Sequence, residues 1–291
     1  MSLSWNDYFT PDALHLVRSL IRLALEEDGP DMTALGVFRH DTPMEAILRA
    51  KQDSLTVGLP LVGMVLKELG TPFRWRALVR EGNRVPAGTH VAVIHAPAVH
   101  LLRAERVVLN MICRMSGIAN LTATYVARLE GTGVRLLDTR KTDPGMRWPE
   151  KYAVAAGGGH NHRRDLREML MLKDNHIDAA GSITDAVSAL RASYSPCPPI
   201  EVECRTLEHV EQAVQMRVSR IMMDNMTAPL LGQALALVPK DIEAEVSGNV
   251  TLDTIRDIAL TRPRPPDFIS VGRITHSAPS ADFSMTLSTV R

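Results

Sequence analysis

Arg140-Lys141, His162-Arg163 and Lys173 bring five cationic or potentially cationic side chains into a short stretch of this chain. A guanidinium is a planar fork that matches a carboxylate or phosphate through two hydrogen bonds, whereas an ammonium is a compact point charge. A site using both suits a ligand with several anionic groups of different shape. Solvent-facing charge is the ordinary explanation of any single Arg or Lys. These residues, however, fall largely at or just beyond the ends of short apolar runs, where an α/β barrel presents its active site. Glu203 and Asp224 close two further runs and set carboxylates opposite the cations. They could hold hydroxyls, hold Mg²⁺ through water, stabilise a cationic transition state, or neutralise a buried basic cluster.

Gly157-Gly158-Gly159 precedes His160-Asn161-His162-Arg163. Glycines permit positive φ or close approach to a ligand, and a flexible turn explains them equally. The run matches neither a dinucleotide fingerprint nor a P-loop, so dinucleotide binding and ATP hydrolysis gain no support. His160 and His162 are spaced to share one face of a strand, but no third ligand stands nearby, and His162 reads as an anion donor beside Arg163 rather than half of a metal pair. Lys173 opens Lys-Asp-Asn-His176, and three roles stay open for it: Schiff-base nucleophile, anion clamp, or ion-pair partner of Asp174. Ser247-Gly248-Asn249 and Val271-Gly272-Arg273 end the last two runs with small residues whose backbone N–H groups suit a phosphate.

The elements that must position these groups form a series. Apolar runs recur at 134–138, 169–173, 200–204, 221–224, 242–247 and 268–272, ending on or beside Asp138, Lys173, Glu203, Asp224, Ser247 and Gly272. Helical patterns separate most of them, at 183–190, 207–216, 229–238 and 252–260. This is a βα repeat of roughly 20–35 residues, too short for eight units, and it predicts a smaller or incomplete parallel barrel. The first hundred residues are mixed. Helical spacing covers 11–25 and 58–69, and strands are expected at 46–50, 74–79 and 91–95, which predicts an α+β sandwich. The stretch 102–129 is read as two helices divided near Ser116-Gly117.

The 291 residues, 45% hydrophobic and 23% charged, describe an ordinary globular chain able to bury a core. Lys+Arg and Asp+Glu both number 33, so no global basic field points to nucleic acid or an anionic membrane. Cys113, Cys197 and Cys204 form no CxxC pattern, which predicts neither disulfides nor structural zinc and fits a reducing cytoplasm. The start, Met1-Ser-Leu-Ser-Trp, lacks the regions of a signal peptide, and no apolar run approaches the ~20 residues of a membrane span.

Ordered blocks carry a resemblance. Leu137-Asp-Thr-Arg-Lys-Thr-Asp-Pro-Gly-Met-Arg147, Glu150-Lys-Tyr-Ala-Val154, Gly157-Gly-Gly-His-Asn-His-Arg163 and Lys173-Asp-Asn-His-Ile177 resemble the quinolinate phosphoribosyltransferase family. Ala104-Glu-Arg106 with Asn110, Ser116-Gly-Ile118, Glu201-Val-Glu203, Met223-Asp-Asn225 and Ser270-Val-Gly-Arg-Ile-Thr-His-Ser277 continue it from about position 20 onward. The resemblance implies an N-terminal α/β sandwich over 1–115, joined by the returning segment 276–291, and a C-terminal open α/β barrel over 116–275. It also implies a homodimer or an assembly of dimers with a shared active site. The implied reaction joins quinolinate to phosphoribosyl pyrophosphate, giving nicotinate mononucleotide, pyrophosphate and CO₂. By the family pattern Arg140, His162, Arg163 and Lys173 hold quinolinate, with Arg106 from the neighbouring subunit. Lys141 and Lys173 face the pyrophosphate, with His276 close to it and Thr139 beside the same site. Glu203 and Asp224 serve the ribose hydroxyls and the water shell of Mg²⁺. Ser247, Gly248 and Gly272 cradle the 5′-phosphate, flanked by Asn249, Val271 and Arg273.

Three places depart from the family pattern: Pro30-Asp31-Met32-Thr33, Asp53-Ser-Leu-Thr-Val-Gly58, and Arg273 where a small residue is common. Other readings stay open on sequence alone. They are a related branch linked to molybdenum uptake with another substrate, a Schiff-base lyase using Lys173, and a non-catalytic ligand sensor.

Overall fold

The computed structural model describes residues 4–39 and 42–289. Met1 to Leu3 and the last two residues of the C-terminal segment, both quoted above, lie outside it. In chain order come α1 (Trp5–Tyr8), α2 (Pro11–Asp28), α3 (Met32–Val37), β1 (Pro43–Ala50), β2 (Ser54–Leu55), α4 (Pro60–Glu68), β3 (Arg74–Ala77), β4 (Arg84–Val85) and β5 (His90–Pro97). There follow α5 (Ala98–Leu129), β6 (Arg135–Leu137), α6 (Arg147–Ala156), β7 (Leu170–Leu172), α7 (Asp174–Ala180), α8 (Ile183–Ser193), β8 (Ile200–Cys204) and α9 (Leu207–Gln215). The chain closes with β9 (Arg220–Asp224), α10 (Ala228–Leu237), β10 (Glu243–Ser247), α11 (Ile255–Ala259), β11 (Phe268–Ser270), α12 (Arg273–His276) and β12 (Phe283–Thr289). None of these helices is long and apolar enough to cross a membrane.

Two compact units result. The first takes the described residues up to Ala123, Thr142–Gly158, and those from Ile274 onward; the second takes Thr124–Lys141 and Gly159–Arg273. In the first unit an antiparallel sheet has the order β12-β1-β5-β3. Ala46, Leu48 and Ala50 of β1 are fully buried while their neighbours are not, the period-two pattern of a strand with one covered face. α2 buries Ala13, Val17, Ile21 and Leu25, one stripe at i, i+4 spacing. Thr10 caps it by accepting from the Ala13 N–H, and Asp31, within the departing early motif, caps α3 by accepting from Ala34 N at 2.8 Å.

The expected break near Ser116-Gly117 is absent: α5 is one helix of 32 residues. Its glycine answers a packing demand. A Cβ on Gly117 would lie 2.0 Å from Pro279 O and 2.9 Å from Ser280 Cα. That C-terminal strand of chain is pinned to α5 by Ala281 N donating to Cys113 O at 2.9 Å. Ser116 is also occupied, its Oγ accepting from Val57 N at 3.0 Å. Gly117→Ala gains about 1 kcal/mol of helix propensity. It is nevertheless expected to lower the melting temperature by several degrees, because rigid backbone must move to admit the methyl. An unchanged or raised melting temperature would contradict the packing role.

Gly157 has a similar duty. It closes α6, and a Cβ there would lie 2.5 Å from Ala119 O. Only Gly158 of the glycine run takes positive φ, at 88°.

The second unit is a parallel six-stranded sheet in the order β6-β11-β10-β9-β8-β7, with helices between most strands. This is the incomplete barrel expected from the repeat. β6 and β7 are its edges, and a parallel bridge from Leu137 to His160 extends the β6 edge.

Candidate active site

Alternation along a strand sends every second side chain to one face. On β8 this pairs Glu201 with Glu203, on β9 Arg220 with Met222 and Asp224, and on β10 Glu243 with Glu245 and Ser247. The register stacks them in layers: Glu201 stands opposite Arg220, Glu245 opposite Met222, and Ser247 opposite Asp224. At the base Arg220 and Arg135 both lie over the Phe268 ring, at 4.3 and 4.0 Å from its centroid.

Above these layers opens a cavity of about 430 Å³ at the C-terminal strand ends. Thr139, Arg140, Lys141, His162, Arg163, Lys173, Glu203, Asp224 and Ser247, all expected from the sequence, line it. Met171, Met222, Asn225, Glu245 and Ser270 join them. Of the other expected residues, Gly248 and Asn249 follow β10 directly; Asn249 Nδ2 donates to Asn225 Oδ1 at 3.0 Å. Val271 is buried, and Gly272 leads into α12, whose Arg273 side chain bonds to Tyr125. These five do not line the cavity. Arg106, exposed on α5, and His276, whose Nδ1 lies 2.7 Å from Ser277 Oγ, belong to the first unit.

The acidic end of the cavity carries its own cations. Lys173 Nζ lies 3.2 Å from Glu203 Oε2. Arg205, which sequence reading passed over, reaches Asp174 at 2.9 Å, Glu203 at 3.4 Å and Asp224 at 4.0 Å. Lys173 is 47% exposed and ion-paired. A Schiff-base lysine needs a desolvated or cation-crowded seat, so the geometry favours a clamp. At the other end burial, then the Arg140 guanidinium, holds Arg163 below the usual arginine range. Like charges facing one cavity raise its affinity for an anion.

His162 differs from its expected pose. It lines the cavity, yet its Nδ1 accepts the Arg163 N–H at 2.7 Å, and its Nε2 lies 3.0 Å from Glu201 and 3.5 Å from Glu245. The third and fourth groups that sequence spacing did not find near this histidine are thus two carboxylates from other strands. Together His162, Glu201 and Glu245 offer one ligand atom each within 4.8 Å of the others; His160 takes no part. Arg220 Nη1 already stands 3.1 Å from Glu245, supplying positive charge there. The loop is held from below by Asp138, fully buried, whose carboxylate accepts from His162 N and from Asn161 Nδ2, each at 2.8 Å.

An open α/β barrel with a cation-walled cavity and paired carboxylates at its strand ends, together with a separate antiparallel unit, defines a class of transferase domains. The descriptions "Quinolinate phosphoribosyl transferase, C-terminal domain" and "N-terminal domain" match residues 118–286 and 31–116. The chain is 37% identical over 294 residues to the chloroplastic carboxylating nicotinate-nucleotide pyrophosphorylase of Oryza sativa subsp. japonica, covering 94% of this chain and 78% of that one. It is 37% identical over 273 residues to the probable carboxylating nicotinate-nucleotide pyrophosphorylase of Bacillus subtilis (strain 168), covering 94% and 93%. The crystal structure of NadC from Streptococcus pyogenes matches with a TM-score of 0.88 at 36% identity, covering 97% of this chain and 99% of that one. The chain belongs to the quinolinate phosphoribosyltransferase family.

Proposed function

We propose that this protein transfers the phosphoribosyl group of phosphoribosyl pyrophosphate to quinolinate with decarboxylation, forming nicotinate mononucleotide, pyrophosphate and CO₂ in NAD biosynthesis. The observation that carries the reading is the single cavity in which Arg140, Lys141, Arg163 and Lys173 face Glu203 and Asp224. Quinolinate brings two carboxylates beside a ring nitrogen, and its co-substrate brings a phosphate and a diphosphate. As diphosphate leaves, the ribose carbon gains oxocarbenium character, which Glu203 and Asp224 favour electrostatically. Once the ring nitrogen is quaternary, it accepts the electron pair left as CO₂ departs, and that carbon then takes a proton. The pocket supplies positioning and exclusion of water for this step.

Arg140 and Arg163 bind the quinolinate carboxylates in this reading, His162 orders the wall beside them, and Thr139, Lys141 and Lys173 meet the diphosphate. The hard carboxylate oxygens of Glu203 and Asp224 fit a Mg²⁺ carried on the diphosphate and bound through its water shell. When bound, that ion neutralises leaving-group charge. Arg106, exposed in the first unit, serves a neighbouring subunit's cavity, so the working form is a dimer. Incubation with quinolinate, phosphoribosyl pyrophosphate and Mg²⁺ is expected to release CO₂ and form nicotinate mononucleotide; folded protein giving neither product would overturn the reading. The related branch with another heterocyclic acid is tested by competition in the same assay.

The phosphate end gives a sharper check. Gly248 has φ 95°, and a Cβ there would lie 2.2 Å from Asn225 Oδ1 and 2.9 Å from its backbone N. Gly248→Ala is therefore expected to displace Asn225 and raise the KM for phosphoribosyl pyrophosphate about tenfold. The quinolinate KM should move far less, and an equal rise in both would argue against a phosphate-specific role.

A further inference from the structure

At the cavity floor, which Glu245 helps to line, Glu201 of β8 and Glu245 of β10 are fully buried, and each places a carboxylate oxygen within 4.8 Å of the other and of His162 Nε2. The cations around them are few. Arg220 of β9 stands 3.1 Å from Glu245, but it also binds Glu243 at 2.8 Å, so its charge is divided. His162 faces both carboxylates from the loop, Ser270 of β11 faces Glu245, and Arg163 and Lys173 act on Glu201 from farther off. Two ionised carboxylates this close, both removed from bulk solvent, strongly disfavour one another. Since Nδ1 of His162 accepts the Arg163 amide, the ring carries its proton on Nε2, directed at the pair.

We propose that Glu201 and Glu245 share one proton as a hydrogen-bonded carboxyl–carboxylate pair, and that this pair is a positioning element for quinolinate, fixing His162 and keeping the cavity floor from turning anionic. The proposal rests on the quinolinate reading above and adds to it a role for two groups given no part in the reaction there. With the proton in place, the pair carries a single negative charge, offset by Arg220. Without it, a second negative charge sits beneath a bound dianion and draws His162 and Arg163 downward. Burial, then the Glu201 charge, pushes Glu245 up to about 8, and burial likewise raises Glu201. The sign follows: the proton is retained below about pH 8 and lost above it, so quinolinate binding weakens on the alkaline side.

Two measurements test this. The first needs no substrate: infrared spectra of the whole protein at pH 7 are expected to contain a buried protonated-carboxyl band that disappears in Glu245→Gln. A wild-type spectrum without that band overturns the shared proton, whatever the enzyme turns over. The second is a pH profile. The wild-type quinolinate KM is expected to rise about tenfold per pH unit above pH 8, with no matching rise for phosphoribosyl pyrophosphate, and Glu245→Gln should flatten that limb. If Glu245→Gln does not fold, Glu201→Gln serves for both readouts. An unchanged alkaline limb in a folded variant overturns the positioning role. Stoichiometric Zn²⁺ binding by wild type that is lost in Glu245→Gln also overturns it, since a metal would then hold the place of the proton.

Discussion

Alanine at Arg140 is expected to lower kcat/KM for quinolinate by about a hundred- to a thousandfold while the fold melts at the same temperature or slightly higher. Truncating one partner of a desolvated charge pair removes about 2–5 kcal/mol, and the substrate dianion is the partner here. The folded protein loses little, because the Arg140 Nε is buried without a hydrogen-bond partner and its charge works against Arg163. Wild type should therefore gain more thermal stability from added quinolinate than the variant does, since a ligand stabilises by its affinity for the native state. Lysine at the same position keeps the charge and loses the fork, and should fall between the two. Steady-state kinetics with each substrate varied in turn, beside melting curves with and without quinolinate, checks all of this. Arg140→Ala within about threefold of wild type would remove Arg140 from the proposed site.

The barrel was legible because its strands are short, apolar, and punctuated at their C-terminal ends by residues with little reason to be there except the site. Asp224 and Ser247 end β9 and β10, and Lys173 and Glu203 stand within a residue of strand ends. The cavity assembled from these ends needed no long-range information beyond the parallel order. Gly117 misled because a glycine inside a helical pattern is ambiguous: a break and a close backbone contact leave the same residue, and only the segment at 279–281 decides between them. The carboxyl floor was hidden for a related reason. Glu201 and Glu203, like Glu245 and Ser247, alternate as one face of a strand should, and that period was a readable sign that Glu201 and Glu245 point inward too. Their meeting with His162 depends on strand neighbours far apart in sequence. Arg205 was passed over because it stands one position beyond its strand, where an exposed arginine is ordinary.

Asp138 marks a strand end in the sequence but has no place among the expected binding groups, and its replacement should still be among the most damaging in the barrel. At the close of β6 its N–H donates to His160 O at 3.1 Å, while His160 N donates to Leu136 O at 2.8 Å. Its carboxylate then receives the His162 N–H and the Asn161 amide. One buried side chain thus ties the end of β6 to the loop that carries His162 and Arg163. Asp138→Ala leaves a buried N–H without its anionic acceptor, a loss of about 3 kcal/mol when a charged hydrogen bond and the desolvated donor are taken together. For a chain of this size that lowers the melting temperature by roughly 6–10 °C. kcat/KM should fall more than tenfold, through both KM for quinolinate and kcat, because the loop geometry is shared by binding and orientation. Asp138→Asn separates the effects. Its Oδ1 still accepts from His162 N, and Asn161 can turn its own amide to offer oxygen to the new NH₂, so most of the stability should return. Melting curves of both variants, read beside their kinetics, decide the matter. An alanine variant melting within a degree or two of wild type would mean that the loop is held elsewhere.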